Sequence, residues 1–166
     1  RSMFKSEISG GISAINYAYQ RTTILADVLF YVRKLQLFGK GLVLDTATPS
    51  VEADTKATLV TLIDNLQTTQ FEVIKANINV NSDSNATTYL VYNMLQDGSN
   101  QSQQTTYDDA LFQFITSASS VRNSSLTSFN LTSDVDSTLK NFFYVNYNGL
   151  RPLRWGAENI AMDFYN

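Results

Sequence analysis

Three arginines, Arg21, Arg151 and Arg154, stand near Tyr17, Tyr19 and Trp155 once the two ends of this chain are laid side by side, and they are its best candidates for chemistry. A guanidinium takes a carboxylate or phosphate through two parallel hydrogen bonds, and aromatic rings wall the site against water. The grouping depends on one assumption. If the first and last helices run antiparallel with residue 38 near residue 132, positions whose numbers add to about 170 sit level, which sets Arg21 beside Asn148 and Gly149 and within a turn of Arg151 and Arg154. The expected ligand-binding set is therefore Arg21, Arg151, Arg154, Tyr17 and Trp155. The competing reading is structural: Arg21 pairs with Glu158 or near Asp27, and arginine stems lie on the core while their heads reach water.

Other chemistry is thin. The chain has no Cys and no His, which removes thiol nucleophiles, disulfides, imidazole bases and the ordinary ligands of zinc, copper and haem. An enzyme would have to work with Asp, Glu, Ser, Tyr, Lys and Arg alone, so a non-catalytic protein without cofactor or metal is expected. Asp108 with Asp109, and Asp134 with Asp136, have the spacing of a metal or acid/base pair, but all sit at helix starts, where carboxylates complement the helix dipole. Asn85, Asn100, Asn123 and Asn130 each open an Asn-x-Ser/Thr tripeptide and are candidate glycan acceptors. With fifteen Asn in a chain rich in Ser and Thr, roughly three such tripeptides arise by chance.

The elements that must hold these residues are helical. Ile8, Ile12, Ile15, Tyr19, Thr22, Ala26, Leu29 and Arg33 recur at steps of four and three, the signature of one helix face. About 40 residues at 1.5 Å each make a rod of roughly 60 Å, which needs long partners to cover it. Gly39 and Gly41 end the rod near Leu42. A second helix is expected from Pro49 to Asn79, with Thr48 as cap and Val51, Thr55, Leu59, Leu62, Ile63, Leu66, Thr69, Val73 and Ala76 as its face. Thr87 to Leu95 reads as a short helix, although its Thr, Tyr and Val content also suits a strand, and 97–106 reads as a solvated loop. A third helix follows from Thr106 to Arg122. The last block starts at Ser133, breaks at Asn148, Gly149 and Pro152, and resumes to Tyr165 with Leu153, Ala157, Ile160, Ala161 and Phe164 on its face. The expectation is a single all-α domain over residues 1–166, an elongated up-and-down bundle of about four long helices with the first and last as antiparallel neighbours, cut from a longer chain.

Composition narrows the partners. Net charge is −3 with only 16% charged residues, which argues against nucleic acid. The most apolar stretch, Ile24 to Phe38, is interrupted by Asp27, Arg33, Lys34 and Gln36 and does not span a membrane. Tyr31-Val-Arg-Lys-Leu-Gln-Leu-Phe-Gly-Lys-Gly and the segment Asn146 to Arg151 resemble stretches flanking membrane spans in large multi-pass ciliate proteins, some with PAS or cyclase-like regions. The resemblance covers about a third of the chain and carries no binding residue across. In architecture the chain is also similar to the helical-bundle ectodomains of chemoreceptors. Together these imply an extracytoplasmic or cell-surface domain of a membrane protein. It would touch the membrane only through flanking segments, and would sense a small anionic ligand or relay a conformational signal. The alternative is a structural or assembly subunit that binds another protein, or a second copy, through an aromatic helical face.

Overall fold

The computed structural model describes residues 2–41, 49–77, 88–125 and 135–165. Its frame is α1 (Ser2–Gly39) packed along α2 (Pro49–Asn77), with α3 (Tyr107–Asn123), α4 (Ser137–Asn148) and α5 (Trp155–Tyr165) closing the bundle. Between α2 and α3 stands an antiparallel hairpin of β1 (Thr88–Met94) and β2 (Asn100–Thr106). The bundle is helical as expected. No helix of the described residues is long and apolar enough to cross a membrane.

The 38-residue α1 buries a face one position away from the expected stripe. Ala14, Ala18, Arg21, Leu25, Val28, Val32 and Leu35 point inward, while Tyr19 and Arg33 are exposed. Thr22 and Leu29 remain buried because they border both stripes. The side chains of Ile8 and Ile12 lie outside the described residues, as does residue 42. On α2 the expected stripe holds: Thr55, Leu59, Ile63, Leu66, Thr69 and Val73 are all buried.

Two expectations for the middle of the chain are corrected. Thr88–Met94 is a strand rather than a helix, because its β-branched and aromatic residues find a half-buried pleated surface, with Val91 inward and Leu90 outward. Asn100–Thr106 is its partner rather than a loop, in the register Thr88↔Thr106 to Met94↔Asn100. Only the backbone of β2 needs a partner. Its polar and mostly exposed side chains therefore leave no periodic trace in the sequence. The turn supplies the missing signal: Asp97-Gly98 is a hairpin pair, Gly98 takes φ +85°, and Asp97 Oδ1 accepts from Ser99 N at 3.0 Å and Ser99 Oγ at 2.6 Å. Those bonds hold the Asp97 carboxyl below its usual range.

Thr106 caps α3 by accepting from Asp109 N at 3.2 Å, as its position predicts. The cap of α4 is Asp136, which accepts from Leu139 N at 2.8 Å; Ser133, the expected start, lies outside the described residues. Between α4 and α5 the segment Gly149–Arg154 forms the expected break. Arg151 leaves helical geometry at φ −135°, ψ 129°, and the Arg151–Pro152 bond is cis.

Contacts between α1 and the C-terminal elements run antiparallel. Asn146 Nδ2 donates to Gln36 Oε1 at 2.7 Å, Gly149 faces Leu29, Arg154 Nε donates to Thr22 O at 3.3 Å, and Ala18 packs with Ala161. The pairing is slid by about two helical turns from the expected one, partly because α4 begins later than Ser133.

Candidate functional site

That slide separates the three arginines. Arg21 is level with the start of α5 rather than with Asn148, and its side chain is completely buried. Its Nη1 donates to Gln70 Oε1 at 2.7 Å, and the guanidinium lies 5.0 Å from the centroid of the Tyr107 ring. The partner is an amide on α2, not Glu158 or Asp27. Gln70 Nε2 then donates to Asp108 Oδ1 at 2.6 Å, so one amide stands between a buried cation and a half-buried carboxylate. Burial raises the Asp108 pKa against the opposing pull of the Gln70 bond and of Arg21. Burial also pushes the Tyr107 phenol up to about 12, and its hydroxyl donates to Leu153 O at 2.9 Å. Arg154 is half-buried and held by the Thr22 carbonyl. Tyr17 packs on the small cluster of Ala18, Val73 and Ala161.

Arg151 and Trp155 do come together. The break turns Arg151 out of the helix, and its guanidinium lies 5.7 Å from the Trp155 ring centroid. They border an open cleft of about 420 Å³ lined also by Tyr89, Leu90, Tyr92, Tyr147 and Pro152. Tyr92 and Tyr147 meet at 5.1 Å with a 60° tilt, and Tyr147 stacks on Phe143 at 4.9 Å. Among the described residues, no carboxylate forms an ion pair with Arg151. A guanidinium within cation–π range of an indole and without an ion pair among the described residues keeps N–H donors for a ligand, so the cleft offers an anion bidentate donors beside aromatic walls.

The wall is fixed from behind by Asn148. This buried amide accepts from Tyr92 N and donates to Tyr92 O, both at 2.9 Å, and donates to Tyr144 O at 3.0 Å. It thus pairs with the edge of β1 as a neighbouring strand would. Tyr89 sits edge-on to Tyr107 at 5.4 Å, and Gly156 lets both rings approach, since a Cβ there would stand 3.0 Å from each. Reading the residues alone missed Tyr89, Tyr92 and Tyr147 because the hairpin that carries two of them was missed. Gln70 was missed because a polar residue beside a buried stripe has no signature of its own.

A second groove of about 400 Å³ opens between α2 and α3, lined by Phe71, Ile74, Phe112 and Ile115 with Gln70, Asp108 and Asp109 at one end. Phe71 and Phe112 are 59% and 71% exposed, far more than phenylalanine usually tolerates. Among the described residues, no group of three His, Cys, Asp or Glu could hold a metal. Asp136 and Asp109 belong to helix starts, and Asp134 lies outside the described residues. Asn100 and Asn123 are exposed, while Asn85 and Asn130 lie outside the described residues. No protein family, curated protein or solved structure matches the chain.

Proposed function

We propose that this chain is a non-catalytic, extracytoplasmic helical-bundle domain of a membrane protein, and that it senses a small anionic ligand in the cleft of Arg151 and Trp155. The observation that carries the reading is the exposed Arg151 guanidinium, 5.7 Å from the centroid of the Trp155 ring and without an ion-pair partner among the described residues, at the mouth of a cleft walled by tyrosines. An arginine held for stability alone would sit on a carboxylate or lay its stem on the core. The cleft also joins β1, α4, the α4–α5 break and α5, so a ligand there bridges four elements and has a route to shift α5 along α1. Antiparallel packing of α1 and α5 brings entry and exit of the chain to one end of the bundle, an arrangement suited to insertion between membrane spans. The resemblance to segments beside membrane spans in ciliate proteins points the same way.

The test is a thermal-shift panel of small carboxylates and phosphate esters, with and without an aromatic ring. A ligand that raises the melting temperature of the unmodified domain, and loses that effect in Arg151→Ala and Trp155→Ala, supports the site. A panel without shifts, or shifts that survive both substitutions, rejects it.

One observation favours a second reading, a structural or assembly subunit that binds protein. Phe71, Ile74 and Phe112 form an exposed apolar strip between α2 and α3. Concentration-dependent dimerisation lost in Phe112→Ser would favour it over sensing.

A further inference from the structure

Arg21 presents a second and independent feature. The guanidinium is a planar fork, and Nε and Nη2 lie side by side on the edge that takes an anion in two parallel bonds. Nη1 is bound to Gln70, yet Nε and Nη2 are both buried with no hydrogen-bond partner among the described residues. An entire recognition edge is therefore enclosed and unused. Buried donors are almost always paired, and a buried charge needs a counter-charge as well as hydrogen bonds.

Among the described residues, none accepts from that edge and no carboxylate forms an ion pair with Arg21. Asp108, the carboxylate whose field reaches Arg21, is held off by the Gln70 amide that it accepts from. The Tyr107 ring covers one face of the guanidinium, and its hydroxyl is committed to Leu153 O. Gly156, which abuts the same ring, has no side chain, and the buried Ala157 beside it carries only a methyl group. Ala18, one turn along α1, is equally small.

We infer that the free edge of Arg21 binds a single small inorganic anion of chloride size, enclosed where α1, α2, α3 and α5 meet. The anion accepts from Nε and Nη2 together and neutralises the guanidinium. A water molecule in the same place would meet the hydrogen bonds and leave the charge. The site is separate from the Arg151 cleft and stands or falls without it.

The experiment compares thermal unfolding in sodium chloride and in sodium gluconate at equal ionic strength, gluconate being too large to be enclosed. The melting temperature should rise by about 3 °C for each tenfold increase in chloride above saturation and stay level in gluconate. Arg21→Met should abolish the difference between the two salts. Should that variant fail to fold, crystals of the unmodified protein grown in sodium bromide give the second measurement, with an anomalous peak expected within hydrogen-bond distance of both nitrogens. Identical melting in chloride and gluconate, or bromide crystals without that peak, overturns the inference.

Discussion

Arg21 and Arg151 are the same residue in two settings, one enclosed at the centre of the bundle and one open on its flank. Arg21 is held by an amide and a ring, so removing what surrounds it strands a charge away from water. Arg151 rests on Trp155 in contact with solvent, and removing it leaves nothing unsatisfied. The same functional group is thus part of the core in one place and available to a ligand in the other. Depth and the neighbouring groups decide the role, not residue type.

The strongest test of that contrast is to place a charge in the interior without provision for it. Leu29→Asp, beside Gly149, should cost at least about 4 kcal/mol and abolish cooperative urea unfolding. Retained cooperative melting would mean that the α1 interface is looser than its packing indicates. Gln70→Leu removes the hydrogen bonds of both Arg21 and Asp108 and should cost about 3 kcal/mol in the same assay.

Alkaline titration probes the interior from another side. Burial raises the Tyr107 pKa to about 12, so the unfolded chain ionises first as pH passes the usual tyrosine value near 10. The contribution of this group is intact below pH 10 and is lost between pH 10 and 12, by about 2 to 3 kcal/mol. Tyr144, also raised by burial, steepens the fall. Tyr107→Phe should flatten part of that slope in urea melts run from pH 9 to 11. Gly156→Ala, which drives a methyl group against Tyr107 and Tyr89 at 3.0 Å, should cost about 2 kcal/mol. Arg151→Ala comes last, with under about 0.5 kcal/mol expected on stability. A loss as large as that of Gln70→Leu would erase the distinction between the two arginines.

Much of the frame is legible in the sequence. Pro49 and Glu52 begin α2, Thr106 caps α3 and Pro152 breaks the last block, because caps and prolines act over a few residues and do not depend on distant partners. The hairpin was not legible from periodicity, since β2 is polar along its length and is held to β1 by its backbone ladder and a side-chain bond from Asn93 to Gln103, neither of which leaves a hydrophobic pattern. The stripe on α1 was displaced by one position because that helix is contacted on several sides. Tyr19 and Leu25 fit neighbouring helical stripes, and only the partners decide which is buried. Within the site, Arg151 and Trp155 are close in sequence on either side of the Pro152 break, so local geometry alone brings them together. The separation of Arg21 depends on a two-turn slide that no local signal records.

Asn148 sets an order of events. Two strands alone are marginal in water, and a shift of one residue would turn Val91 outward and Leu90 inward. The amide that fixes Tyr92 on its unpaired side arrives 56 residues later in the chain. A carboxylate lacks its donor, and a leucine lacks both donor and acceptor. During synthesis, the Asp97-Gly98 turn can align residues 88–106 early, but the bonds that tie Tyr92 to the bundle form only once the far end of α4 has been made, so the tyrosine wall is completed late.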